Sequence, residues 1–393
     1  MQTRLLGGQR VFLLALFGTS IAILFTRSLN AFNRLPADPG YDYVFQAKLD
    51  GLGSLTIGDP YFHLAARTLA WLTSFAPLEW HAAVLSTLVH LVWASCAVGI
   101  TYVVSLEPVP RWIAGFAGLL LICAPHASES SLGNIGNVKW PLLTAAIVVC
   151  SSSRNTMLSK VGPIALLIVT GLTNPISFLC VFPLIRLGLN EKAVRRQLLP
   201  LALVILATTV LQLAKVGVSA ASSGRDARVT QPWNGMGIFW WSGLIGPIII
   251  ALVSLAISLV SRSRNYSPSN MATNLGMISV ILAAVSYRMG GIADRYFVAP
   301  LTLSLISFLL ALSGFQTVNA RARLVILAVT AVMLMVPTLK WFSVSRYLTS
   351  GPTWSAEVQA ARDFCRGSTR STVSLEVADN STIELDCEYV LRG

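Results

Sequence analysis

Runs of apolar residues, each close to the length of a bilayer-crossing helix, alternate along most of the chain with short polar connections. A helix of about 20 apolar residues crosses a bilayer and satisfies its own backbone polar groups in oil. The pattern predicts an all-α polytopic transmembrane helix bundle of about eleven spans. They fall at 11–28, 81–105, 111–124, 138–152, 159–172, 174–189, 198–217, 238–261, 272–287, 296–314 and 323–342. The stretch 159–189 reads as two short spans or as one span kinked at Gly171–Pro175. Parity selects two. Arg154 and Lys160 before it, and Lys192, Arg195 and Arg196 after it, then share the cytoplasmic side, where basic residues concentrate.

The other basic clusters obey the same parity. Arg4 and Arg10, Arg262 and Arg264, and Arg321 and Arg323 fall on that side. The N-terminus is therefore expected in the cytoplasm and the C-terminal tail outside, in a multi-pass protein of the plasma (inner) membrane. No small-residue cleavage site closes the first apolar run, so it reads as an uncleaved span. Residues 1–342 form the transmembrane part, with a long first outer loop at 29–80, and 343–393 a small extracytoplasmic segment.

Composition supports the membrane reading. Apolar residues make up 54% of the chain and charged residues 12%, with a mean hydropathy of +0.67. A soluble surface needs about twice that charge. The net charge of +12 does not point to nucleic acid, because the basic residues sit mostly at the ends of apolar runs. All acids but Glu107 and Glu191 fall on the outer side.

The tail carries Cys365 and Cys387, 22 residues apart, in a compartment oxidising enough for a disulfide. Thr372–Val377 alternates as a strand, with Ser381–Asp386 as its hairpin partner. A small disulfide-stapled β-cap is expected. The remaining cysteines, Cys96, Cys123, Cys150 and Cys180, lie in spans and read as small core residues.

Four stretches concentrate chemistry. The first outer loop holds Asp38, Asp42, Asp50 and Asp59 among Tyr41, Tyr43, Phe45, Tyr61 and Phe62, with His63 beyond them. Carboxylates accept hydrogen bonds from sugar hydroxyls, and ring faces pack on sugar carbons. Within this loop, Leu64–Phe75 reads as an amphipathic interfacial helix. The ordinary alternative is a solvated loop whose Asp residues cap short helices. The second stretch, 124–143, places His126, Glu129, Asn134, Asn137 and Lys139 ahead of Trp140. Asn134, Asn137 and Trp140 recur every third residue, on one face of a helical start. Lys139 at the membrane edge suits a lipid phosphate; a capped helix entry with a snorkelling lysine is the plainer alternative. Third, Arg288, Asp294 and Arg295 lie in a short outer loop, where basic residues run against the usual bias. Fourth, Arg225, Asp226 and Arg228 lie in a Gly/Ser-rich outer loop that reads as mobile. No Walker phosphate loop, no His-x-x-x-His or Cys-x-x-Cys metal pattern and no Gly-x-Ser-x-Gly nucleophile appears.

This ordering resembles the type C (GT-C) glycosyltransferases, and within them polytopic proteins of actinobacteria and other bacteria. The motifs that carry the resemblance are Tyr41-Asp42-Tyr43, Asp59-Pro60-Tyr61-Phe62-His63, Asn134-Ile-Gly-Asn137-Val-Lys139-Trp140, Asp294-Arg295-Tyr296-Phe297 and the tail Gly351-Pro-Thr-Trp354 with its two cysteines. The chain departs from that pattern twice. Asp42 stands alone where many relatives carry two adjacent acids, and Lys139 stands where many of them carry histidine.

The resemblance implies transfer of a sugar from a polyprenyl-phosphate donor to a cell-envelope glycan or lipid acceptor on the outer face, with inversion. Asp42 would be the general base, with Asp50 and Asp59 as alternatives. Lys139, Arg295 and Arg288 would hold the donor phosphate. Tyr43, Asp59, Tyr61, His63, Asn134, Asn137 and Trp140 would line the acceptor and sugar site, and Arg225 and Arg228 would belong to the mobile loop. The sequence requires no cofactor, and a divalent metal on a loop acid stays open. Two other functions compete: a flippase or transporter of a lipid-linked sugar, and an assembly subunit of an envelope complex. The shortage of charge inside the spans argues against the transporter.

Overall fold

The computed structural model describes residues 2–35, 40–56, 61–123, 132–152, 161–190, 195–223, 247–258, 268–290, 294–314, 351–377 and 382–392. The expected span 323–342 lies outside them, as does part of 238–261. The described chain is mostly helical. Helix α1 is Gln2–Arg27, α2 Gly40–Asp50, α3 Leu64–Thr73, α4 His81–Ser105 and α5 Arg111–Cys123. They are followed by α6 Lys139–Ser151, α7 Val161–Gly171, α8 Val181–Asn190, α9 Arg195–Ser223 and α10 Pro247–Ser258. Next come α11 Pro268–Gly290, α12 Val298–Gly314 and α13 Trp354–Gly367. Strands β1 Thr372–Glu376 and β2 Thr382–Asp386 and the short helix α14 Cys387–Arg392 close the chain.

Helix α6 is the axis of the bundle. Every residue from Trp140 to Ser151 is buried, as expected of a helix that is apolar all round. α4, α7, α8, α11 and α12 pack against it. Close approach between α4 and α5 depends on Gly118, because a Cβ there would meet Thr101 Oγ1 and the Ala97 carbonyl oxygen.

Among the described residues, three stretches are long and apolar enough to cross a membrane: Gly8–Arg27, Leu78–Ser105 and Leu198–Gly217. The other apolar helices have 10–17 residues, short of the roughly 20 that a straight crossing takes. The stretch 159–189 forms separate helices, with a turn at 172–174 and the 3-10 turn Pro175–Cys180 between them.

The first loop holds a helix that its sequence did not announce. α2 has one partly apolar face too short to stand out, and Gly51 at φ +56° turns the chain into the 3-10 turn Gly51–Thr56. α2 and α3 lie side by side and run the same way. Tyr43 meets His63 at a tilt, Arg67 Nη1 donates to Gln46 Oε1 at 3.1 Å, and Lys48 Nζ donates to the Ser74 carbonyl at 3.3 Å.

The tail is stapled by Cys365–Cys387 and contains the expected antiparallel pair, with Thr372 opposite Asp386 and Glu376 opposite Thr382. It is not only β: α13 supplies its core with Trp354, Val358, Ala361 and Cys365. The cap sits on the first loop. Trp354 N donates to Asn33 O at 2.8 Å and Trp354 Nε1 to Leu78 O at 2.7 Å. Arg362 pairs with Glu79 at 2.8 Å, and Tyr389 meets Phe45 edge to face.

Candidate functional site

The start of α3 lacks a side-chain cap of its own. The first backbone N–H groups of any helix have no partner inside it. Here Leu64 N donates to Leu172 O at 3.1 Å and Ala65 N to Thr173 Oγ1 at 3.0 Å. The turn after α7 therefore caps α3 from across the structure. Just upstream, Gln212 of α9 grips the backbone of Phe62. Its Oε1 accepts from Phe62 N at 2.9 Å, while its Nε2 donates to Phe62 O at 3.2 Å and to Gly171 O at 2.9 Å. One turn along α9, Lys215 Nζ donates to Thr56 O at 2.9 Å and lies 5.7 Å from the Phe62 ring centre. Phe62 and the start of α3 are thus held by α9 and by the turn after α7, whose contacting residues lie more than a hundred positions downstream.

What this clamp presents is a cluster of rings and cations. Lys139 opens α6, and its Nζ donates to the Tyr61 hydroxyl at 3.2 Å. The same ammonium lies 5.9 Å from the Tyr61 ring centre, 5.5 Å from that of Trp140 and 6.0 Å from that of Tyr296, within range of cation–π attraction. Trp140 and Tyr296 meet edge to face at 5.4 Å. His63 packs on Tyr61 at 4.1 Å and on Tyr43 at 5.8 Å. Beneath Tyr43 lies the buried guanidinium of Arg67, 4.6 Å from the ring centre. Arg67 also donates to Ser54 O, so one side chain joins α2, its following turn and α3.

The structure therefore brings together Tyr43, Tyr61, His63, Lys139 and Trp140 from the sequence-predicted set. Asp42 stands next to them in the first turn of α2, exposed. A carboxylate there is favoured by the positive end of the helix dipole. Asn134 serves as a cap: its Oδ1 accepts from Gly136 N at 2.7 Å and starts the 3-10 turn Ile135–Asn137. Asn137 is buried within that turn. Arg288 lies near the end of α11 and Arg295 in the 3-10 turn Asp294–Phe297; their side chains are outside the described set. So are Asp59, His126, Glu129, Arg225 and Arg228 altogether.

The chain matches no protein-family model and no curated protein.

Three residues of the cluster escaped the sequence reading as site residues: Arg67, Gln212 and Tyr296. Gln212 carried a signal, being the sole carboxamide within the apolar run 198–217. A polar side chain inside such a run needs a partner, and here it has three. Among the described residues no group of three or more His, Cys, Asp or Glu side chains is placed to hold a metal ion. Chemically, the cluster offers cations framed by aromatic faces, with an exposed carboxylate beside them. That combination suits a ligand with both an anionic group and a stackable, hydroxyl-bearing face.

Proposed function

We propose that this chain is a membrane glycosyltransferase. It moves a sugar from a polyprenyl-phosphate donor to a cell-envelope glycan or lipid acceptor at the outer face of the plasma membrane. The reading includes about eleven crossings, a cytoplasmic N-terminus and an extracytoplasmic cap. The observation that carries it is the half-buried Lys139 ammonium, bonded to Tyr61 and ringed by Tyr61, Trp140 and Tyr296, in one cluster with Tyr43 and, next to it, Asp42. The motif order shared with type C glycosyltransferases supports it further.

In this reaction Asp42 takes the proton of the acceptor hydroxyl as its oxygen attacks the anomeric carbon. The bond from that carbon to the phosphate oxygen breaks, the configuration inverts, and the electron pair leaves with the polyprenyl phosphate. Lys139 stabilises the phosphate as its charge grows, with Arg295 and Arg288 as further cations. Rings of Tyr61 and Tyr43 pack on the sugar, and His63 orients the acceptor. Arg67, beneath Tyr43, and Gln212, on the backbone of Phe62, position these groups.

The test is transfer from a radiolabelled polyprenyl-phosphate sugar to envelope lipid extract by the purified, reconstituted chain. Asp42→Asn should lower transfer by about 100-fold or more, the range of a lost general base, while Asp50→Asn should leave it within a few-fold. Wild-type transfer by Asp42→Asn would remove Asp42 from the role. Label that crosses the bilayer chemically unchanged would replace the enzyme with a carrier of lipid-linked sugar.

A further inference from the structure

At the end of the bundle that carries the site, several large apolar side chains stand exposed outside the packed core. They are Leu49, Leu52, Leu72, Phe75 and Trp80, with Phe75 at 69% and Trp80 at 58% exposure. All five lie at the ends of α2 and α3 or in the turns that follow them. Because α2 and α3 run in the same direction, and Lys48 bonds the Ser74 carbonyl, the two helices end together. Leu49 and Leu52 thereby lie at the same end of the helix pair as Leu72 and Phe75. The other face of α3 is buried, through Ala65, Ala66, Leu69, Ala70 and Thr73.

Trp80 sets the depth of this edge. It immediately precedes α4, and the stretch Leu78–Ser105 is long and apolar enough to cross a membrane. An exposed indole at the end of a span lies at the headgroup level, where amphipathic rings collect. Phe75 is five residues from it across a short turn. The edge is therefore continuous with the lipid-facing surface of the bundle.

We infer that this edge is a lipid-docking surface: the end of α3 and the turn after α2 insert Leu72, Phe75, Leu49 and Leu52 into the leaflet at this end of the bundle. Such side chains reach about 5–10 Å into the headgroup–acyl boundary. Lys48 and Asp50, both exposed, lie among them and leave this edge without net charge. The rings that meet at Tyr43, Tyr61 and His63 lie at the other, N-terminal ends of the two helices. The first loop is thus seated by one end and presents the site at the other. This inference rests on the α4 span and the exposed edge, and stands whether or not the chain transfers a sugar.

Nitroxide labels test it. Leu72→Cys, Phe75→Cys and Leu52→Cys are made singly in a Cys123→Ser background; Cys96, Cys150 and Cys180 are buried and Cys365–Cys387 is a disulfide. The full chain is reconstituted in vesicles of phosphatidylcholine and phosphatidylglycerol. A label at Ser355, exposed on the cap, is the aqueous reference. At Leu72 and Phe75, collision with oxygen should rise and collision with a water-soluble nickel chelate should fall, each several-fold against Ser355. Ratios like those at Ser355 would overturn the inference. Labels shielded from both reagents would overturn it too, and would assign the edge to a protein partner or a second copy.

Discussion

Gln212 gives the sharpest quantitative expectation. Gln212→Leu keeps the volume and the apolar stem but removes both the acceptor for Phe62 N and the donors to Phe62 O and Gly171 O. Gln212 is 1% exposed, so water does not readily replace the lost partners. An orphaned buried backbone group costs about 1–3 kcal/mol, and carbonyls fall at the low end. Taking about 1 kcal/mol for each of the groups gives about 3 kcal/mol. The loss should be local, because leucine preserves the packing of α9. At about 1.4 kcal/mol per factor of ten, the segment around Phe62 should open about 100-fold more often. Hydrogen exchange read by mass spectrometry on peptides covering 61–70 should show that acceleration, with α6 peptides unchanged. Exchange within a few-fold of wild type would refute the clamp. Gln212→Glu is the graded control, since one carboxylate oxygen still accepts from Phe62 N.

Two further expectations follow from packing. Gly118→Ala puts a methyl group against Thr101 and the backbone of Ala97; forced separation of α4 and α5 should cost about 1–3 kcal/mol or more, seen as a lower unfolding temperature in detergent, whereas Gly99→Ala, with open space around it, should be nearly silent. Trp354→Ala removes a side chain that is 1% exposed and bonded to Leu78 O; a loss of about 3–5 kcal/mol should undock the cap, and limited proteolysis should then cut near residue 351 while the bundle persists.

Most of the helices were legible in the sequence and only part of the candidate site was, for physical reasons that differ by element. α4 and α6 were visible because lipid or a crowded interior demands a continuous apolar run. β1 and β2 were visible because a half-buried strand must alternate, as Val373 and Leu375 do against exposed Thr372 and Ser374. α13 was missed because its buried residues, Trp354, Val358, Ala361 and Cys365, are diluted by Glu357, Arg362 and Asp363, two of which find partners on other elements, Glu357 on β1 and Arg362 on Glu79. α2 was missed because its contacts come from other elements: Arg67 beneath Tyr43, and Tyr389 against Phe45.

The site itself divides along the same line. Tyr61, His63, Lys139 and Trp140 were legible as residue types that do chemistry, in stretches too polar for a span. Their convergence was not legible, because it depends on contacts such as Phe62 with Gln212, 150 residues apart. A polar residue inside an apolar run states that a partner exists without saying where. Gln212 is such a statement, and its partner turned out to be the backbone of the acid-and-aromatic loop. Buried Asn174 in the turn before α8 belongs to the same class, and its Oδ1 is spent on Ile176 N at 3.0 Å. Both fasten turns at the end of the bundle where Lys139 and Tyr61 meet. The polar residues within the apolar runs near this end therefore serve as fasteners. The candidate site is built instead from side chains on the connections and at the first turns of helices.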